Sequence, residues 1–322
     1  MMVLDVQKLR TSFFLDNGEL KAVDDISFSI EEKQTLAIVG ESGCGKTVVA
    51  LSILNLMSLP GRIIGGQVNF EGNNLLNMTH DQLCNIRGKK IGMIFQEPAS
   101  SLNPVYTIGK QLRETLSRHT DLNKHEISSK AIKLLGDMDF TDPEKWISAY
   151  PHQLSGGMKQ RAAIAIAMCT HPKLLIADEP TTALDVTVQA EILDLLKFLK
   201  DEYHMSMLLI SHDIGVVAEL ADKVMVMYAG KQFENAPLDQ ILKSPKHPYT
   251  KGLLKSVIHM DHIKEGVLEG IPGAVPDLLN LPSGCSFHPR CSIKESICKV
   301  VFPDIVINSN DGACCACHMV SK

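Results

Sequence analysis

The octapeptide GESGCGKT, Gly40 to Thr47, has the spacing of a loop that binds phosphate, G-x4-G-K-T. Its glycines (Gly40, Gly43, Gly45) let backbone N–H groups close around phosphate oxygens. A helix starting at its end adds the positive end of a dipole. Ser42 and Cys44 contribute main chain to that cradle, so the Cys44 thiol needs no role. Lys46 supplies a point charge to the outer phosphates, and the Thr47 hydroxyl suits Mg²⁺. KLLIADEP, Lys173 to Pro180, is the complement: four apolar residues lead a strand into Asp178, a carboxylate placed beside the metal. Glu179 follows, positioned to polarise an attacking water. Together these elements predict hydrolysis of a nucleoside triphosphate.

LSGGMKQR, Leu154 to Arg161, opens a helical stretch with Ser155-Gly156-Gly157. As a bare cap it would need only the serine. The glycines make a second anion cradle, which one subunit does not need for one triphosphate. A different chemistry sits at the far end, where six of the nine cysteines (285, 291, 298, 314, 315 and 317) fall within the last 38 residues. Disulfides do not suit a reducing interior, which leaves a metal site or unassigned core thiols. Zinc sites pair cysteines two to four apart. Here five residues separate Cys285 from Cys291 and six separate Cys291 from Cys298. Four thiolates also suit an iron–sulfur cluster.

The elements that must position these groups read as α/β. SFSIEEKQTLAIV gives a strand, a turn at Glu31–Lys33 and a buried strand over 35–39. KTVVALSILNLM follows with Val49, Ile53 and Leu56 at helical spacing. KKIGMIFQ is a second strand ending at Gln96. Helical stripes then run through Ile108, Leu112 and Leu116, and through Ile127, Ala131, Leu134 and Met138. From Met158 a helix carries Ala162, Ala165, Ile166 and Met168. The strands KLLIAD and SMLLISHD flank a helix over VQAEILDLLKFLKDEY, and KVMVMYAGKQFE is a late hairpin. After about residue 245 the texture turns loop-like and proline-rich (SPKHPYT, IPGAVPDLLNLPSG), which predicts an appended module over 246–322 behind a 1–245 nucleotide-binding domain.

Composition narrows the field. A net charge of -5 gives no basic footprint for nucleic acid. No apolar run approaches the 18 or so residues of a membrane span, and MMVLDVQKLR has no signal-peptide pattern. The chain is expected to stay inside the cell and to meet a membrane only through a partner.

LSGGMKQR resembles the signature motif of ABC-type ATPases, and the other motifs follow in the family's order. The resemblance implies a P-loop ATPase core of the RecA type with a β subdomain, a helical subdomain over about 97–156 and a small loop-rich C-terminal extension. It implies that Ser155–Gly157 close over ATP held by the phosphate loop of a second subunit. Gln96 matches the loop that reports nucleotide state and reaches Mg²⁺ with Thr47 and Asp178. Asp185 in TALD matches the loop crossing the dimer interface. His212 in LLISHD matches the switch histidine that reaches the γ-phosphate, giving Lys46, Glu179 and His212 as the catalytic set. Phe13 in LRTSFF matches the aromatic that stacks on adenine, with Phe14 the second choice.

AVDDISFSI, TTALDVTVQAEIL, SHDIGVVAELADKVMVMYAGK and the tail SPKHPYTKGLL…IPGAVPDLLNLPSGCSFHPRC are similar, over nearly the whole chain, to the dipeptide/oligopeptide permease ATPases, nearer the D-type subunit. The resemblance implies an import system on the cytoplasmic side of the cell membrane. Its partners are a second ATPase (an F-type subunit or a copy of this chain), two membrane-spanning permease subunits and, indirectly, an extracytoplasmic binding protein. Nickel or oligosaccharides are alternative cargo for that layout. A soluble ABC ATPase acting on DNA or ribosomes is the reading from another class, and it lacks the coiled coil or paired cassettes it calls for. Some permease ATPases of this family carry a four-iron–four-sulfur cluster on the extension. The match GCSFHPRC…C…ACH implies ligands Cys285, Cys291, Cys298 and Cys317, with Cys314 or Cys315 able to replace the last and zinc as the alternative metal. Its expected role is to fold a module with little apolar core of its own, so that ATP binding at Lys46 survives loss of Cys291.

Overall fold

The computed structural model of the protein describes residues 1–258, 270–307 and 312–320. The chain forms two compact units. One gathers Met1, Ile30–Gln34 and Asn77–Ile210; the other gathers Met2–Ser29, Thr35–Leu76 and Ser211–Lys322. Residues on both sides of position 245 therefore share a unit. The expected 246–322 module lies partly outside the described residues, at 259–269, 308–311 and 321–322.

The first unit holds three parallel strands, Ile91–Ile94, Leu174–Asp178 and Ser206–Ser211, with Leu174–Asp178 in the middle. Every residue of the latter two is buried. That is why they read as unbroken apolar runs rather than alternating ones. The expected strand to Gln96 stops at Ile94, and a short helix begins at Pro98. Proline disfavours the helical region for the residue before it, so Glu97 stays extended (φ -112, ψ 102) as the N-cap of that helix. Helices Ile108–His119 and Lys124–Asp137 follow. The first is capped by Thr107; the second starts in a capping box of Asn123 and Glu126. Both expected stripes are buried, from Ile108, Leu112 and Leu116 to Ile127, Ala131, Leu134 and Met138. Helix Gly156–Met168 is fixed to its neighbours by Arg161. That guanidinium bonds the Met138 carbonyl at 3.1 Å, Asp139 at 2.8 Å and Glu191 at 2.9 Å.

The second unit contains an antiparallel sheet in the order Gly18–Glu31, Met2–Leu15, Gly61–Phe70, Asn73–Asn74. It also carries Thr35–Val39 parallel to Lys223–Tyr228, which continues antiparallel into Lys231–Pro237. The expected late hairpin turns on Ala229 and Gly230, both at positive φ. Helix Lys46–Ile53 ends earlier than Leu56, because Asn55 turns left-handed at φ 49 and the Leu56 amide bonds back to the Leu51 carbonyl.

In the tail, rings pack edge to face. Tyr228 meets Phe233, Tyr249 and Phe287 at 5.5, 4.7 and 5.4 Å between centroids, and Phe233 meets Phe302 at 5.8 Å. Tyr228 and Phe233 flank the hairpin turn, so the tail borrows part of its core from chain well before residue 245. Its cysteine strand Cys314–Cys315 pairs with Lys231–Pro237, register Glu234 to Cys315. Among the described residues no helix is long and apolar enough to cross a membrane.

Candidate active site

In the second unit the fully buried strand Thr35–Val39 delivers the chain into Gly40, and helix Lys46–Ile53 leads it away. Gly45 is the N-cap at φ 104, and a Cβ there would stand 2.1 Å from the Ala22 carbonyl oxygen. A Cβ at Gly40 would meet the Met227 carbonyl at 2.2 Å. The loop is thus wedged between two backbones, and only glycine fits at either place. Ser42 and Gly43 face solvent, while Thr47 is half-buried at the start of the helix. Lys46 is buried and folds back on its own loop, donating to the Gly40 carbonyl at 2.8 Å and the Glu41 carbonyl at 3.1 Å. Two carbonyls thus hold the ammonium in the loop's mouth. Cys44 is buried, and desolvation pushes its thiol up against the opposing pull of Lys46.

Phe13 and Phe14 separate by strand alternation. Thr11, which shares Phe13's face, bonds Ser52 of the loop's own helix, 2.8 Å between hydroxyls. Phe14 lies on the other face, exposed, with the Arg62 guanidinium 5.9 Å from its ring centre. The half-buried Phe13 thus points to the side that carries the phosphate-loop helix. His212 is exposed just past Ser206–Ser211. A local turn holds it, with the Asp213 amide on the Ser211 hydroxyl at 3.0 Å and the Asp213 carboxylate capping the next helix on the Gly215 amide at 2.7 Å.

In the first unit Asp178 is the last, buried residue of its strand. Glu179 follows at φ 47, a left-handed conformation that costs a non-glycine residue energy. Its amide is anchored on the Ile210 carbonyl at 2.9 Å. One carboxylate oxygen, Oε2, accepts from Gln96 Nε2 at 3.1 Å and Thr182 Oγ1 at 2.9 Å. Gln96 and Glu179, 83 residues apart, are brought into direct contact. No sequence motif marks Thr182; its spacing of three after Glu179 in a tight turn is the signal it carries. Ser155 is exposed and caps helix Gly156–Met168, accepting from the Met158 amide at 3.3 Å. Gly156 is exposed and Gly157 half-buried beside it. Asp185 likewise caps helix Val186–Tyr203 through the Val188 amide at 3.0 Å, next to an exposed Val186.

Burial, and after it the charges that Cys298, Cys291 and Cys317 would carry, pushes the Cys285 thiol up to about 11. Cys291 is raised by burial and then by Cys317 and Cys298, and Cys317 by burial and then Cys298. Cys314 accepts from Gln232 Nε2 at 3.1 Å, and Cys315 is raised by burial and then by Glu234, Cys317 and Cys314. Cys285 reaches Cys298 through backbone, its amide donating to the Cys298 carbonyl at 2.9 Å. A Cβ at Gly284 would foul that approach, 2.4 Å from the same carbonyl. Among the described residues, however, no three His, Cys, Asp or Glu side chains converge as the ligands of one metal ion.

Comparison with known proteins adds to this geometry. A family described as "ABC transporter" matches residues 23–182, and one described as "Oligopeptide/dipeptide transporter, C-terminal region" matches residues 233–298. The chain is 46% identical over 309 residues to the oligopeptide transport ATP-binding protein AppD of Bacillus subtilis, covering 96% of this chain and 94% of that protein. It is 45% identical over 315 residues to a Brucella abortus protein named for peptide import and ATP binding, covering 98% and 94%. Among solved structures, the ATP-binding cassette MJ0796, in a dimeric post-hydrolysis state bound to ADP and Pi, superposes with TM-score 0.66. It is 26% identical and covers 73% of this chain and 98% of that one.

Proposed function

Because the chain belongs to the ATP-binding subunits of the oligopeptide/dipeptide ABC transporters, we propose that it binds and hydrolyses ATP to drive peptide uptake, docked on membrane permease subunits at their cytoplasmic face. The observation that carries the reading is the wedged loop Gly40–Thr47, with Lys46 held in its mouth. In the assembled transporter two ATPase subunits, this chain with a related one or with a copy of itself, face two permease subunits. A binding protein outside delivers the peptide.

Each residue then has a role. Backbone amides of the loop and Lys46 hold the phosphates, and Phe13 stacks on adenine. Thr47, Asp178 and Gln96 are the groups for Mg²⁺, which supplies charge neutralisation at the phosphates when bound. The exposed Ser155–Gly157 cap is offered to the nucleotide of the opposing subunit, and Asp185 to that interface. Glu179 orients water, with His212 beside the terminal phosphate. The Gln96–Glu179 contact supports coupling, since displacing the loop after Ile94 would move the carboxylate that orients water. The test is hydrolysis in the reconstituted transporter with crosslinking from residues 97–150 to the permease. Crosslinks mapping only to the tail would overturn the docking role.

We propose also that Cys285, Cys291, Cys298 and Cys317 hold a four-iron–four-sulfur cluster. The backbone contact that brings Cys285 to Cys298 and the short turn that joins Cys285 to Cys291 support the first three of this set, while Cys314 lies in the strand paired with Lys231–Pro237 beside Gln232. A cluster bonds each thiolate to a different iron, so its ligands stand wider apart than those of one ion. Anaerobically purified protein should be brown, with iron and labile sulfide in equal amounts. A colourless preparation containing zinc, or no metal, would refute it.

A further inference from the structure

Glu41, the second residue of the phosphate loop, is an odd choice beside a polyanion, because a carboxylate there repels what the loop attracts. The structure shows what balances it. Arg290, from the turn between Cys285 and Cys291, grips the Glu41 carboxylate with both ends of its fork, at 2.7 and 3.0 Å. The remaining donors go to the Tyr228 hydroxyl at 3.3 Å and the carbonyls of Pro272 at 3.0 Å and Ile271 at 3.3 Å. All five guanidinium N–H groups are used, which only arginine can do. Arg290 is buried, and its bond to Glu41 raises its pKa further, so the charge is permanent. Glu41 is fully engaged as well. Its amide donates to the Tyr249 hydroxyl at 2.9 Å and its carbonyl accepts from Lys46 at 3.1 Å. Two of these partners, Arg290 and Tyr249, come from beyond residue 245.

Arg290 is itself held by the cysteine-bearing turn. The His288 amide bonds the Cys285 carbonyl at 2.9 Å, the Arg290 amide bonds the Phe287 carbonyl at 3.0 Å, and the Cys291 amide bonds the His288 carbonyl at 3.3 Å. The turn that carries Arg290 begins at one of the tail's thiols and ends at another. We propose that Arg290 is a positioning residue of the phosphate loop: it cancels the Glu41 charge and fixes the loop, and so makes nucleotide affinity depend on the state of the tail's cysteines. This rests on reading Gly40–Thr47 as the nucleotide site.

The test is the affinity of the full-length chain for a fluorescent ADP analogue, measured beside its melting temperature without nucleotide. Arg290→Ala should weaken binding roughly tenfold, because it leaves a bare carboxylate in the loop. Adding Glu41→Gln should restore affinity to within about threefold of wild type, since the repelling charge is gone. A plain structural staple predicts no such rescue, because neither variant rebuilds the contact. Arg290→Ala binding as tightly as wild type, or a double variant as weak as the single one, would overturn the proposal. If Arg290→Ala does not fold, Arg290→Lys with and without Glu41→Gln makes the same comparison. Cys291→Ser should leave nucleotide binding present but several-fold weaker in the Arg290 chain, and weaken Arg290→Ala no further; equal losses in both backgrounds would refute transmission through Arg290. Lys46→Ala serves as the reference. If it too leaves binding intact, the nucleotide-site reading fails; if it alone abolishes binding, only the role of Arg290 fails.

Discussion

The Glu179 carboxylate shares one oxygen between Gln96 and Thr182 while its backbone sits in a left-handed conformation. Strain of this kind is kept where a side chain must be aimed. Glu179→Gln preserves shape and removes the charge that the proposed role in orienting water requires. Hydrolysis in the assembled transporter should therefore fall by about 10²- to 10³-fold with ATP still bound. Near-normal turnover would end the assignment. Thr182→Ala removes one of the two aiming contacts and should cost roughly three- to tenfold in turnover, with nucleotide affinity unchanged in equilibrium binding. Lys46→Ala loses a charge-assisted contact to phosphate, so equilibrium binding itself should weaken by at least about tenfold. Glu179 and Lys46 stand out in the sequence because one directly follows an apolar strand and the other opens a helix at fixed spacing. Thr182 was not, because its role depends on a turn whose path the residue types alone do not set.

At the scale of elements, the loop between Thr35–Val39 and Lys46–Ile53 works because two other backbones, at Ala22 and Met227, press against it. Gly45→Ala places a methyl 2.1 Å from the Ala22 carbonyl at a φ of 104. It should abolish nucleotide binding while circular dichroism keeps its helix and strand signal. Binding at wild-type strength would show that the loop has room. Arg161 plays the corresponding part for the helix opened by Ser155. Its acidic partners Asp139 and Glu191 are largely exposed, so solvent screens those pairs. Most of its worth lies in the Met138 carbonyl and in packing. Arg161→Ala should lower stability in urea by about 1–2 kcal/mol, and an unchanged midpoint would count against it.

At the scale of the whole molecule, the tail is bound into the unit that holds the phosphate loop, and His247 makes that attachment sensitive to acid. The imidazole is buried beside Phe233 and Phe287, with Nδ1 accepting the Tyr249 amide at 3.0 Å and its own amide on Glu234 at 2.9 Å. Burial, and after it the charge of Lys251, lowers its pKa to about 3. The unfolded chain, at about 6.5, binds this proton first. The neutral ring's contribution is therefore complete above about pH 6.5 and is lost as pH falls from there toward about 3. His247→Asn keeps an acceptor for the Tyr249 amide and cannot titrate. Its melting temperature should fall less steeply than wild type across that window, and parallel slopes would exclude His247 as the source.

The sequence by itself determined the family and the elements that carry its motifs. Apolar runs specify buried parallel strands, glycine spacing specifies a phosphate loop, and Ser155 and Asp185 specify helix starts, because each depends on neighbours within a few residues. What only the tertiary structure decided is which distant groups meet. Gln96 reaches Glu179 across 83 residues and Arg290 reaches Glu41 across 249. The loop-like texture after residue 245 suggested a separate module because its own stretch is poor in apolar periodicity. Its core is aromatic and partly borrowed from Tyr228 and Phe233, and no local pattern can announce packing whose other half lies elsewhere in the chain.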